Sequence, residues 1–339
     1  MLVEKLGEDN LIKSLAERFG GRHSRLLKGI GDDTSVSVQK GASALLVTTD
    51  ILIENTHFKR GSGSPFLLGR KALSISLSDI AAMGGQPLFF LVSLSLTPGT
   101  PKKYIDELYR GMAEVSRESG CALAGGNTAK AGSEMTVSTT VIGETPARRV
   151  VYRKGAASGD LVFITGAVGG SALGLKALSS REGLPLKRVP WKESVRRHLD
   201  PTPRLEAGQA LAKARLATAM MDISDGVALD LKRLCVESGK SAVIYLGALP
   251  VSDELKAYGE RTGKSPLLDF ALTGGEDYEL LFTSPEKNLR KIAALSKKLG
   301  LPMTPVGRIT GRRKNGQTVT VLGEEGEPME LKKLGFEHF

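Results

Sequence analysis

Along the chain, short runs of β-branched and apolar residues alternate with longer stretches in which apolar positions recur every three or four residues. Roughly the first twenty residues carry the second pattern and predict an amphipathic helix. ALLVTTD, FLVSLSLT and MTVSTTVIGE then read as strands, with helices from about Leu68 to Met83 and Lys102 to Ser119. The segment TPARRVVYRKGAASGD, around residues 145–160, is polar, basic and Gly-containing, and a fresh strand, LVFITG, follows it. A boundary near Lys154 is therefore expected, dividing the chain into domains 1–154 and 155–339. Past it, helices are predicted near Gly170 to Ser180, Pro203 to Arg215 and Gly226 to Glu237, and strands near Ala242 to Leu246, Tyr278 to Phe282 and Met303 to Ile309. The pattern is that of an α/β (α+β) protein with two domains, as a length of 339 residues also suggests.

Composition narrows the function classes. The excess of 47 Lys and Arg over 37 Asp and Glu is scattered through connecting segments such as ARRVVYRK, LKRVPWKESVRRH and GRRKNG. Nucleic-acid surfaces use a basic stripe interleaved with aromatics, which this dispersal lacks, so attraction for phosphorylated metabolites is the better reading. No apolar run approaches the ~20 residues of a membrane span, and MLVEKLGEDN lacks the features of a signal peptide, so a cytoplasmic protein without a membrane partner is expected. Cys121 and Cys235 form no CxxC or Cys/His cluster, which leaves no thiolate zinc site.

Candidate chemistry gathers in acidic turns. GIGDDTSV places Asp32 and Asp33 behind a Gly-x-Gly bend, and TTDILIENTHF puts Thr48, Thr49 and Asp50 where an apolar strand runs out. SLSDIAAMGG adds Asp79 inside an otherwise apolar helical segment, where a carboxylate needs a partner to offset its desolvation. MDISDGVALDL presents Asp222, Ser224 and Asp225, the last open to a second reading as a helix N-cap, and LTGGEDYELLF presents Glu276 and Asp277 behind two glycines. Oxygen ligands in this number, without thiolate or imidazole clusters, suit hard cations such as Mg²⁺ bound with phosphates. No P-loop, Rossmann fingerprint, HRD or DFG set, GxSxG or HExxH motif is present. Any ATP site must belong to another class. AGGNT at Ala124 to Thr128 and TGAVGGSALGL at Thr165 to Leu175 read as Gly-rich turns able to offer backbone N–H groups to phosphate; close helix-to-strand packing is the alternative for the second.

GIGDD, TTDILIENTHF, KALSISLSDIAAMGG, GGNT, DISDG and LTGGEDYELLF occur in this order, and with the closing LGFEHF the chain resembles the thiamine-monophosphate kinases over nearly its full length. The resemblance implies ATP-dependent phosphorylation of thiamine monophosphate to thiamine diphosphate, with several Mg²⁺ ions. It also implies a homodimer in which the N-terminal strands of two chains close a β-barrel, with ATP near the interface. By the same match, Asp33, Thr48, Thr49, Asp50, Asp79, Asp222 and Asp225 are expected to hold metal. Ser224, Gly126, Asn127, Tyr109 and Arg153 are expected along the nucleotide, and His57 and Glu276 against the acceptor. Wider relatives share ATP use and differ in acceptor, so another ATP-dependent synthetase is the rival enzyme reading, and a non-catalytic nucleotide-binding homologue is the rival outside enzymes. Where the family usually carries GGDT this chain has GGNT, so a metal ligand at Asn127 would be a neutral amide oxygen. A carboxylate restored there is expected to join the other like charges and destabilise the metal-free protein. A family aromatic near the C-terminus aligns with Lys333 or Leu334, leaving Phe336 as the candidate for the acceptor ring.

Overall fold

The structure is a computed structural model and describes residues 5, 7–21, 23–39, 42–179, 191–263, 265–311, 318–323, 325–331 and 333–338. Ser180, the LKRVP stretch, most of GRRKNG and Phe339 lie outside the described residues.

The first half contains α1 (Glu8–Phe19), β1 (Leu26–Lys28), β2 (Ser35–Val38), β3 (Ser43–Ile53), α2 (Pro65–Ala82), β4 (Gln86–Leu96), α3 (Lys102–Ser119), β5 (Ala122–Lys130) and β6 (Thr136–Pro146). Its strands form one sheet in the order β1-β2-β3-β6-β4-β5. α2 starts on a Ser64 N-cap that accepts from the Leu67 N–H at 3.3 Å, with Pro65 in its first turn, and nearly all of its later residues are buried. Its burial has two sides, because α2 packs on the sheet and on α3. At that crossing a Cβ on Gly69 would meet the Leu108 carbonyl oxygen at 1.9 Å, and one on Gly111 would meet that of Phe66 at 1.9 Å. The two glycines thus let the helix backbones touch.

The second half contains β7 (Leu161–Thr165), α4 (Gly170–Ser179), α5 (Lys192–Leu199), α6 (Leu205–Lys213), β8 (Ala219–Asp222), α7 (Val227–Ser238), β9 (Ser241–Tyr245), α8 (Asp253–Thr262), β10 (Leu280–Ser284), α9 (Leu289–Leu299), β11 (Met303–Thr310), β12 (Val319–Leu322) and β13 (Pro328–Met329). Its sheet runs β13-β12-β9-β11-β7-β10-β8, antiparallel except for the β9–β12 pair. The architecture is therefore mixed α/β with two sheets, as the hydrophobic pattern predicts.

Two sequence expectations fail, the first being that the strand runs out at Asp50, since β3 continues to Ile53. Second, AGGNT is not a turn: it lies within β5, an edge strand exposed along its whole length and paired in parallel with β4. An exposed edge lacks the apolar alternation that marks a half-buried strand, and its glycines mimic turn punctuation. Close approach explains one of them, since a Cβ on Gly126 would meet the Val92 carbonyl oxygen at 1.9 Å.

Candidate active site

β3 sorts its side chains by the pleat. Thr48 is buried and Asp50 half-buried on the face that meets α2, whereas Thr49 and Ile51 are exposed on the other. From α2, Ser76 Oγ donates to Asp50 at 2.7 Å, and the Thr48 hydroxyl donates to Asp79. Two residues beyond Ser76, Ser78 Oγ donates to Asp222 at 2.7 Å, so α2 reaches from the first sheet to the end of β8 in the second. Asp33, Asp79 and Asp222 thereby bring carboxylate oxygens within 4.8 Å of one another.

Two carboxylates at 4.8 Å repel by roughly 3 kcal/mol at an effective dielectric of about 20, and three such pairs must be offset by something. Burial, followed by Asp50, Asp222 and Asp33, pushes Asp79 well above the ordinary carboxylate range. Burial and then Asp33 do the same to Asp222, and burial raises Asp50. Asp32 is pushed up to about 6 by burial and by its neighbour Asp33. Arg153 relieves part of this charge. Its guanidinium donates to Asp33 Oδ1 at 2.6 and 3.2 Å, and its backbone N–H donates to Asp32 at 3.1 Å. Asp32 Oδ2, Asp33 Oδ2 and Thr34 Oγ1 remain buried without a hydrogen-bond partner. Orphaned buried oxygens beside a carboxylate triad fit a hard divalent cation.

The loop carrying Asp222, Ser224 and Asp225 is tied to the Glu276 segment by backbone bonds: Ile223 N–H to Glu279 O, Tyr278 N–H to Ile223 O, and Glu276 N–H to Ser224 O. Asp225 is not the N-cap of α7, a position taken by Gly226 without a side-chain cap. It pairs instead with Arg233. Asp230, fully buried, organises this loop: its Oδ2 accepts the N–H groups of Ser224, Asp225 and Gly226 at 3.0–3.1 Å. Sequence reading missed Asp230, although a carboxylate inside the apolar run VALDL carries the signal that singled out Asp79.

Lys71 and His198 were missed on the same footing. Lys71 lies in the apolar stretch of α2, 3% exposed, and its Nζ is 2.7 Å from Glu276 Oε1. His198 Nδ1 is 3.1 Å from Glu276 Oε2 and 3.1 Å from Ser171 Oγ. His57 accepts the Ile53 N–H on Nδ1 at 3.0 Å, and its Nε2 lies 3.4 Å from that of His338. His338 in turn packs edge-on against Phe336, whose backbone N–H donates to Asp225 O at 2.9 Å. Of the C-terminal candidates, Phe336 lies in this aromatic row and is half exposed, whereas Leu334 packs on the core of the second half.

Other expected residues stand apart. Asn127 pairs across the sheet with Ser93 and, through Ser138, with Ile51, so it shares the outer face with Thr49, opposite to Asp50. Its Oδ1 accepts the Thr128 N–H at 2.9 Å, and Thr49 Oγ1 accepts from Thr140 at 3.0 Å. Within one chain neither faces the triad, so a carboxylate at 127 would not join its like charges. Tyr109 is half-buried on α3 against the core of the first half. The N–H groups of Gly169 and Ser171, candidates for phosphate, are taken by the Asp277 carboxylate at 2.6 and 3.2 Å. A Cβ on Gly174 would meet the Ser194 oxygen at 2.1 Å, so tight packing, here of α4 on α5, explains that glycine-rich segment.

Two sheets joined by a helix whose Asp79 meets a carboxylate from each half define the class: residues 31–145 match the family AIR synthase related protein, N-terminal domain, and residues 157–320 match its C-terminal domain. The chain is 37% identical over 340 residues to the thiamine-monophosphate kinase of Aquifex aeolicus, covering 100% of both chains. It is 33% identical to that of Bacillus subtilis, covering 98% of this chain and 100% of the other. The solved structure of AaThiL complexed with AMPPCP and TMP superposes with a TM-score of 0.85 at 36% identity, covering 100% of this chain and 99% of that one. The chain belongs to the thiamine-monophosphate kinase family and is a kinase. Among the described residues no helix is long and apolar enough to cross a membrane.

Proposed function

We propose that the protein transfers the γ-phosphoryl group of ATP to thiamine monophosphate, giving thiamine diphosphate and ADP, with Mg²⁺ held in the acidic cup between the two sheets. The carrying observation is the Asp33–Asp79–Asp222 triad with its orphaned neighbouring oxygens, in a chain whose relative was solved with an ATP analogue and TMP. Thr48, Asp50 and Asp225 complete the ligand set on this face. When bound, the metal would screen the charge of two crowded polyanions and of the phosphoryl group in flight.

No general base is required. An ionised oxygen of the acceptor phosphate forms the new P–O bond in line as the bond to ADP breaks. The chain's own residues position and neutralise: Arg153 can exchange Asp33 for phosphate oxygens, as a fixed guanidinium fork suits. Ser224 lies on the loop that Asp230 holds; His57 borders a cavity, and Glu276 is bonded to Lys71 and His198, which also line it, so we assign His57 and Glu276 to the acceptor side. We assign residues 1–154 to metal, nucleotide and dimer contacts and 155–339 to the covering domain.

The same reading includes a homodimer of a cytoplasmic enzyme. The outer face of the first sheet leaves Ile51, Phe89, Leu91 and Leu123 exposed beside the open edge of β5, a surface that a second copy would cover. Thr49, Gly126 and Asn127 lie there, so a second chain would bring them to the nucleotide. Purified protein incubated with ATP, thiamine monophosphate and Mg²⁺ tests the reaction: equal amounts of ADP and thiamine diphosphate are expected. ADP formed only with a different acceptor would replace this reading with the rival synthetase. A monomeric mass by light scattering at micromolar concentration would contradict the dimer.

A further inference from the structure

A second cavity, of about 350 Å³, opens at the seam between the two halves and shares no residue with the carboxylate triad. Pockets for small molecules begin at roughly 300 Å³, so its size admits a small metabolite. The first half supplies Ser43 from β3, Gly84 from the turn after α2, Glu144 from β6 and Arg149 from the segment that follows, and the second half supplies Gln209 and Lys213 from α6. We propose that this cavity is a binding site for a small metabolite bearing an oxyanion group, phosphate or carboxylate, held between Arg149 and Lys213.

Glycine brings the two halves together here. A Cβ on Gly84 would come within 2.4 Å of that of Ala212 and 3.7 Å of the Arg149 backbone oxygen, and one on Gly208 would meet the Ala81 oxygen at 2.0 Å. The end of α6 is thus drawn against the end of α2, and Lys213, next after Ala212, reaches the same opening as Arg149. Other polar groups of the wall are engaged: Gln209 Nε2 donates to Gly85 O at 2.9 Å, and Glu144 accepts from the Ser43 hydroxyl at 3.4 Å. The two cations are not. Arg149 is half-buried, and neither its guanidinium nor the Lys213 ammonium has a hydrogen-bond or ion-pair partner among the described residues. A partly desolvated guanidinium with five N–H donors calls for an acceptor, and its fork matches the paired oxygens of phosphate or carboxylate. Lys213, in the last turn of α6, also complements the helix dipole, so Arg149 carries the inference. Two positive charges against one negative in the lining set the sign of the ligand.

Calorimetric titration of the full-length, metal-free protein, dialysed free of chelator, tests the site with pyrophosphate and citrate as probes. Without metal, the carboxylates of the cup repel both ions. Wild type is expected to bind at one site per chain, and the tighter of the two probes names the oxyanion. Arg149→Gln and Lys213→Gln should each weaken binding about tenfold, the scale of one lost charged contact, and Arg149→Lys should recover part of the loss. Arg148→Gln removes the same charge from an exposed neighbour outside the cavity and should leave the affinity unchanged. Wild type that binds neither probe at millimolar concentration, an Arg149→Gln protein that binds as wild type does, or equal weakening in the Arg148 variant overturns the site.

Discussion

The two ends of α2 solve the problem of buried charge in opposite ways. At Lys71 the charges cancel within the protein: an ammonium, a carboxylate and an imidazole satisfy one another. Two turns on, at Asp79, three carboxylates converge with one guanidinium, that of Arg153, bonded to Asp33, and several nearby oxygens are left without hydrogen-bond partners. Breaking a closed pair strands a buried charge, which typically costs about 3–5 kcal/mol. Removing one member of a like-charged group relieves repulsion. The lesson is that the Lys71 end is built to be stable by itself, while the Asp79 end trades stability for affinity toward something absent from the chain.

The contrast is broken most forcefully by neutralising the crowded end. Asp222→Asn should lower kcat at least about a hundredfold, the scale seen when a metal site is impaired. Its metal-free melting temperature should rise by roughly 2–4 °C, since each kcal/mol of relief moves a domain of this size by about that much. Steady-state kinetics and calorimetric melts check both halves, and a mutant that melts lower and keeps its rate would show a structural role for Asp222.

Asp230→Asn comes next. The amide still accepts, but three N–H groups lose a charged partner, so the loop should loosen and the Mg²⁺ concentration for half-maximal rate should rise about tenfold. A rate titration reads this directly.

pH sharpens the comparison in the metal-free protein. Asp32, Asp50, Asp79 and Asp222 have folded-state values above their unfolded ones, so their contribution is fully present below about pH 4 and is lost as pH rises through the raised values, about 6 for Asp32. Glu276 is shifted the other way: its contribution is present above the unfolded value and is lost only as pH falls below the ordinary carboxylate range. Between pH 5 and pH 8 the metal-free melting temperature should therefore fall, and saturating Mg²⁺ should flatten or reverse the slope.

The smallest effect is expected at Asn127. Asn127→Asp should lower the Mg²⁺ midpoint by a few-fold, a charged contact being roughly twice as strong as a neutral one. The metal-free melting temperature should stay unchanged, because residue 127 faces away from the triad. An unchanged midpoint would make Asn127 a strand residue whose amide serves only Thr128.

Part of the cup was legible because a carboxylate at a strand end or in an apolar helix has few structural excuses, a test that Asp222 and Asp79 met, whereas Asp33, behind a Gly-x-Gly bend, drew its meaning only from their company and from the family resemblance. The partners were not legible. Lys71, His198 and Asp230 acquire meaning only when distant segments meet, and nothing local to RKALSISLSD says that its lysine faces Glu276. The face of a residue was equally hidden: Thr48, Thr49 and Asp50 are consecutive, and only the pleat and the packing of α2 send the middle one outward. Element types in the first half followed from periodicity, whereas β5 did not, for want of a buried side.

The central claim, that the carboxylate triad is a cation site, is tested most directly by melting temperature against Mg²⁺ concentration at pH 8 for wild type and Asp222→Asn. Wild type should show a saturable rise from a lower starting point, and the mutant little or no rise. A wild-type melting temperature indifferent to Mg²⁺, or an equal rise in both proteins, would contradict it.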